Sequence, residues 1–280
     1  MRRRPSPSSS RPSRRLSGAV CAVLVVAIGT SCAKPPPSRP ARVPTKVRVA
    51  AATDLRSCLD ALADGFQREH PNIDISPTFG ASGALLAQLK SGLESDLYLT
   101  ADIAYANELA AAGLAAEGEV FETGQGRLVV WVRNESPIDV LKLGADALLD
   151  PSVRRVAIAN PVHAPYGRAA EATLAHLGLQ DRLKAKLAVG ESAAQAAQYV
   201  ESGAAEVGLL PLALARGTRL SERGRFWVVP TEAHPPIRHG GAIHARVIDR
   251  EATEAFRDFL LAPAGREILA RYGFEFPASP

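Results

Sequence analysis

Short apolar runs alternate with helix-period segments along most of this chain, and that alternation predicts an α/β protein. Residues 47–51 read as a strand, and residues 54–69 then carry Leu55, Leu59, Leu62 and Phe66 on one helical stripe. A strand over 73–79 and a helix over 84–91 follow. Residues 96–100 read as a buried strand, ahead of an Ala-rich helix over 103–112. Further strands are predicted over 128–132, 156–159, 207–210 and 226–230. Residues 168–177 form a helix ended by Gly178, and 193–201 a helix stopped by Gly203. Two amphipathic helices, 251–261 and 265–272, close the chain, with Pro263 between them and Gly273 after the last.

There is no short-period repeat. The first eighty or so folded residues make one α/β unit and residues 128–228 a second. The two closing helices have no strands of their own to cover, so they return to the first unit. Two lobes joined by two crossing strands enclose a cleft, the preferred place for a small ligand.

The N-terminus reads as a leader. Residues 1–15 are rich in Arg, Pro and Ser, an apolar run over 16–28 follows, and Gly29-Thr30-Ser31-Cys32 comes next. A basic region, a short apolar run and small residues before a cleavage point describe a secretory signal, here 1–31. The apolar run is too short for a membrane span, which needs about 20 residues. Cys32 resembles the lipidated first residue of a bacterial lipoprotein, although Gly29 replaces the usual Leu; ordinary cleavage nearby is the other reading. Arg14-Arg15 hints at the twin-arginine route, but the residues after it fit Sec export better. Residues 32–44, with Pro-Pro-Pro at 35–37, form a stiff tether. The protein is therefore expected outside the cytoplasm, in the periplasm or held at the outer membrane face by lipid.

The formal charge of +4 is concentrated in that leader. Beyond position 45 the charges are mixed, and no basic cluster interleaved with aromatics marks a nucleic-acid surface. Of the 3 cysteines, Cys21 lies in the leader and Cys32 directly after it. Cys58 has no partner for an internal disulfide and reads as a small buried apolar residue.

Two segments carry the chemistry. Val47-Arg48-Val49-Ala50-Ala51-Ala52-Thr53 and Phe79-Gly80-Ala81-Ser82 each run from an extended stretch through small residues to a hydroxyl at the start of a helix. A helix N-terminus offers unpaired N–H groups and a partial positive charge. Two such ends facing one another would hold a small oxyanion without Lys or Arg. Each hydroxyl taken alone could equally be an N-cap.

The segments 50–55 (Ala-Ala-Ala-Thr-Asp-Leu), 79–85 (Phe-Gly-Ala-Ser-Gly-Ala-Leu) and 95–102 (Ser-Asp-Leu-Tyr-Leu-Thr-Ala-Asp) occur in a specific order. Asn160-Pro161, 164–170 (Ala-Pro-Tyr-Gly-Arg-Ala-Ala), 199–208 and Arg-Tyr-Gly-Phe at 271–274 continue it. In this order and spacing, residues 45–276 resemble the molybdate-binding periplasmic proteins of ABC transporters. The resemblance implies a type II periplasmic-binding-protein fold, with lobe 1 over 45–127 and 229–280 and lobe 2 over 128–228. It implies Thr53 and Ser82 as hydroxyl ligands, and Tyr166 and Ala193 as main-chain N–H ligands. The ligand would be molybdate or tungstate, with no cofactor and no metal beyond the oxyanion. An ABC permease would be the partner, and the receptor a monomer. Pro211 departs from the pattern: some relatives place a Tyr hydroxyl there, and Pro has neither hydroxyl nor N–H. A fifth contact would then come from Tyr166 or Ser192, or be absent.

Other readings stay open. Pro211 motivates a receptor for another oxyanion such as sulfate, or for a different small solute. An enzyme on the same fold would need a phosphate loop, a Ser–His–Asp order or a metal spacing, and none stands out. A sensing domain without transport is a further alternative. Asp96 and Asp102 read as strand-end hydrogen-bonding groups, and Arg168 as a brace of its turn. His163, His234, His239 and His244 read as surface or loop residues, and Trp131 and Trp227 as packing on the crossing strands.

Overall fold

The computed structural model describes residues 44–276. The expected leader over 1–31, Cys32 and the tether as far as residue 43 lie outside the described residues. No described helix is long and apolar enough to cross a membrane.

The strands are β1 (Thr45–Ala52), β2 (Ile73–Gly80), β3 (Leu97–Thr100), β4 (Ala115–Gly126) and β5 (Leu128–Arg133), then β6 (Val156–Ala159), β7 (Leu187–Gly190), β8 (Val207–Pro211), β9 (Gly224–Val228) and β10 (Ile237–His244). The longer helices are α1 (Arg56–Gln67), α2 (Ser82–Lys90), α3 (Ile103–Ala111), α4 (Pro165–His176), α5 (Ala193–Ser202), α6 (Arg250–Leu261) and α7 (Pro263–Arg271). They flank two five-stranded sheets, ordered β2-β1-β3-β10-β4 and β7-β6-β8-β5-β9. In the first, β1 lies parallel to β2 and β3, while β10 runs antiparallel to β3 and β4. In the second, β6 is parallel to β7 and β8, and β5 antiparallel to β8 and β9. The chain leaves the first sheet at Arg127 and returns over residues 229–236. Each sheet with its helices is a lobe, and the passages between them form the hinge.

The sequence explains the layering. In β1 the side chains alternate between faces. Val47, Val49 and Ala51 join Leu55, Leu59, Leu62 and Phe66, while Ala50 faces Leu85, Leu86 and Leu89 of α2. Both faces of the strand are thus covered, which suits a run of small and apolar residues. β5 repeats the scheme: Val130 and Val132 meet Ala170 and Leu174 of α4, and Val129 and Trp131 meet Ala196 and Val200 of α5. The closing helices pack on α1, with the Phe66 ring 5.1 Å from that of Phe256 and 5.7 Å from that of Phe259.

Four strands depart from the sequence expectation. β4, β7 and β10 read as no element, and β10 supplies the strand that the closing segment was expected to lack. Residues 226–230 were expected as a strand that crosses between lobes; β9 instead ends at Val228, inside the second sheet. Trp131 and Trp227 accordingly sit in the second sheet rather than in the passages, Trp131 fully buried and Trp227 half-buried against the core.

Candidate functional site

β1 and β2 end side by side, Ala52 opposite Gly80. Beyond them the chain turns at once into the 3-10 turn Thr53–Leu55 and into α2. This places Thr53 and Ser82 together at the edge of the first lobe, 6 % and 1 % exposed. Neither hydroxyl caps its own helix; the capping positions are Ala52 and Ala81, which have no polar side chain. Each hydroxyl instead accepts a hydrogen bond from a main-chain amide elsewhere. Ala101 N donates to Ser82 Oγ at 3.1 Å, and Ala194 N, in the second lobe, to Thr53 Oγ1 at 3.4 Å. A hydroxyl has two lone pairs and one proton. With an amide on a lone pair, the proton is left to donate.

The second lobe brings two helix starts to the same seam. α4 begins with Pro165, a residue suited to the first helical position, and Tyr166 follows. α5 begins at Ala193 behind the N-cap Ser192, whose Oγ accepts from Gln195 N at 3.3 Å. In these first turns Pro165 has no N–H, Gly167 N donates to Ala164 O at 2.9 Å and Gln195 N to Ser192 Oγ, which leaves the amides of Tyr166 and Ala193 facing the seam without an acceptor among the described residues. Ala52 and Ala101 pack in one cluster with Tyr166 and Ala169, and Ala81 in another with Ala164 and Ala193. Across the seam Gly83 N donates to His163 O at 2.9 Å. The structure therefore gathers Thr53, Ser82, Tyr166 and Ala193 along one interface between lobes. Beside them lies a cavity of ≈ 490 Å3 lined by Thr53, Arg56, Phe79, Ser192, Ala194 and Gln198, among others.

The Tyr166 phenol points into the hinge. Its hydroxyl is buried without a hydrogen-bond partner among the described residues, and a Cβ on Gly126 would overlap it. Its ring lies 5.8 Å from that of His239. Burial, together with the nearby Asp54 carboxylate, pushes the phenol well above its usual range, so it stays neutral. Pro211 closes β8 opposite Leu128.

One buried pair has no signature in the local sequence pattern. His239 Nε2 lies 2.6 Å from Asp54 Oδ2, with the side chains 0 % and 3 % exposed. Of the four histidines expected at the surface or in loops, only His163 is exposed. His234, His239 and His244 are buried, and the last two are on β10. Burial holds the imidazoles of His234 and His244 below the ordinary value. A histidine in an alternating strand would have signalled this, but the Gly-Gly that follows His239 hid the strand.

The remaining polar groups serve as the sequence suggested. Asp96 is buried under Arg48, which reaches it with main-chain N, Nε and Nη2 at 2.8, 3.0 and 2.9 Å. Asp102 caps α3 through Ala104 N. Arg168 braces, but across lobes, to Asp102 and Tyr105. Cys58 is buried and its thiol donates to Leu55 O at 3.3 Å. Among the described residues no cluster of His, Cys, Asp or Glu is arranged to hold a metal ion.

The family model for bacterial extracellular solute-binding proteins matches residues 47–275. The chain belongs to this family. This solute-binding protein is 32% identical over 233 residues to the molybdate-binding protein ModA of Azotobacter vinelandii, covering 82% of this chain and 89% of the relative. It is 31% identical over 200 residues to ModA of Rhodobacter capsulatus, covering 71% and 77%. The solved structure of the Azotobacter vinelandii periplasmic molybdate-binding protein superposes with TM-score 0.77 at 28% identity, covering 83% of this chain and 100% of that one. The sulfate-binding protein SubI of Mycobacterium tuberculosis shares the fold, with TM-score 0.67 at 17% identity, covering 82% and 86%. The two-lobed architecture is that of the periplasmic binding proteins, and the protein is a ligand carrier rather than an enzyme.

Proposed function

We propose that this solute-binding protein is an exported receptor for molybdate, with tungstate as a second ligand, and that it delivers the anion to an ABC importer by closing its lobes. One observation supports this reading most directly. Two buried hydroxyls, each with an amide on a lone pair and its proton free, meet two helix starts across the seam. A tetrahedral oxyanion only accepts hydrogen bonds. The Thr53 and Ser82 hydroxyls and the amides of Tyr166 and Ala193 would be its donors. They sit between lobe 1, over 45–127 and 229–280, and lobe 2, over 128–228.

Neutral, rigid donors select by size. A smaller anion leaves donors unpaired in a buried site, at about 1–3 kcal/mol each, and about 1.4 kcal/mol is a factor of ten in affinity. Two or three misfits would disfavour sulfate by roughly one to several orders of magnitude, whereas molybdate and tungstate are close in size. The Tyr166 phenol, seated in the hinge, does not serve as the fifth ligand, so the site works with four contacts or recruits Ser192. Lobe closure gives the permease a ligand-dependent surface to recognise. Lipid attachment at Cys32, behind a cleaved signal over 1–31, would keep the monomeric receptor beside that permease.

Pro211 favours a second reading, a receptor for another oxyanion such as sulfate. Isothermal titration with molybdate, tungstate, sulfate and phosphate separates the two. Tight binding of the first two alone is the expected result; a preference for sulfate or phosphate overturns the molybdate assignment.

A further inference from the structure

Arg168 is a cation near the four neutral donors proposed for the seam, and its side-chain partners are all on the opposite lobe. It stands two residues after Tyr166 on α4. Its Nη2 lies 2.6 Å from Asp102 Oδ2 and its Nη1 donates to the Tyr105 hydroxyl at 2.8 Å. Its guanidinium carbon is 5.3 Å from the centre of the Tyr105 ring. Asp102 and Tyr105 belong to the first lobe. Among the described residues no carboxylate of the second lobe bonds to Arg168.

We propose that Arg168 has two successive partners: an incoming oxyanion while the lobes are apart, then Asp102 and Tyr105 once they close. This rests on the oxyanion-receptor reading above. With the lobes separated, the guanidinium loses its carboxylate and stands unneutralised on the first turn of α4, two residues from the Tyr166 amide. A cation there raises the local concentration of anions and speeds capture. On closure Asp102 takes up that charge, so the ligand is left to neutral donors and size selection survives. The receiving side is already in place. Asp102 Oδ1 is fixed by Ala104 N at 2.9 Å, which aims Oδ2 outward. The Tyr105 hydroxyl would lie 3.0 Å from a Cβ on Gly83, so the clasp sits directly over the start of α2, beside Ser82. Two cations lining the cavity beside Thr53 keep partners within their own lobes, and Arg216, which does cross, reaches only the carbonyls of Ala270 and Arg271 and no carboxylate. Arg56 stacks on Phe79 of its own lobe at 4.2 Å, and Arg219 pairs with Glu201 of its own lobe at 2.6 Å. Arg168 and Asp102 are 41% and 32% exposed, so added salt screens both the recruiting and the clasping state.

The test is isothermal titration of the wild type, R168Q, R168K and D102N with molybdate and with sulfate, at low and at high salt. R168Q is expected to weaken molybdate binding about three- to tenfold at low salt and to flatten its salt dependence. R168K, which keeps the charge but not the planar fork, should retain the salt dependence; it also serves should R168Q fail to fold. D102N leaves the cation unneutralised after closure, so the gap between molybdate and sulfate affinities should narrow by about threefold or more. R168Q with wild-type affinity and salt dependence, R168K with a flattened one, or D102N with an unchanged gap overturns the proposal. A wild type that prefers sulfate or phosphate overturns the molybdate reading alone, and the comparisons then run with that anion. A wild type that binds none of them overturns both.

Discussion

Ser82→Ala removes a single oxygen from a position that is 1 % exposed. Two things are lost together. The amide of Ala101 loses its acceptor at 3.1 Å, and the seam loses an O–H donor. The bond from the Tyr98 hydroxyl to Ser82 O, at 2.7 Å, uses the main chain and survives. An orphaned buried amide costs about 1–3 kcal/mol. At roughly 2–4 °C per kcal/mol for a fold of this size, the melting temperature should fall by roughly 2–12 °C. A hydrogen bond to a charged ligand contributes about 1.5–3 kcal/mol, so molybdate affinity should fall roughly ten- to 150-fold. Scanning fluorimetry and isothermal titration on the same preparation read the two losses separately. A melting temperature that falls while Kd stays within about twofold would refute the reasoning, since the hydroxyl would then only brace Ala101.

Thr53→Val keeps the shape and removes the hydroxyl; it should weaken binding about tenfold or more, and Thr53→Ser should restore most of it. Titration of both variants checks this, and equal affinities would exclude the hydroxyl. His239→Leu leaves the Asp54 carboxyl buried without its hydrogen-bond partner, at about 1–3 kcal/mol, and a thermal melt should show it. Adding Asp54→Leu should recover part of that loss; a double variant no better than the single would dismiss the pairing. His234 and His244 are held below 6.5 by burial, so the unfolded chain takes up protons first and stability should fall as pH drops below about 6.5. Burial raises the Asp96 carboxyl, but Arg48 and main-chain amides outweigh it and hold it below 3.8. Its contribution is present above about pH 3.9 and is lost as pH falls through the lower native value. A melting profile against pH checks both, and a profile flat from about pH 7 to about pH 5 contradicts the first.

The site was legible where local pattern and chemistry coincide. Val47 to Ala52 is a strand buried on both faces, and the helix after Thr53 has a clean apolar stripe, so the strand-to-helix corner could be read directly. The corner at Ser82 follows the same logic. β10 could not be read this way. Its Gly240 and Gly241 are there because a Cβ would overlap Phe121 O and Tyr98 O, so close packing of strands removed the side chains that mark a strand. The partner of His239 is Asp54, on the other side of the sequence, and only the assembled sheet brings the two together. The cross-lobe role of Arg168 was hidden for the same reason: the residue type pointed to a brace, and only the fold shows that it spans the seam.

The order of strands in the first sheet has a consequence for how the protein comes to be. β10 lies between β3 and β4, pairing Gly240 with Thr100 on one side and with Glu122 on the other. Until residue 237 and those after it arrive, that sheet is split, with β3 presenting an unsatisfied edge. Every strand of the second sheet, by contrast, lies between residues 128 and 228 in one continuous stretch. Contacts so distant in sequence form slowly. A chain emerging N-terminus first therefore completes its middle lobe before its outer one. Thr53 and Ser82, though synthesised early, gain their final setting only when the closing segment threads between its neighbours.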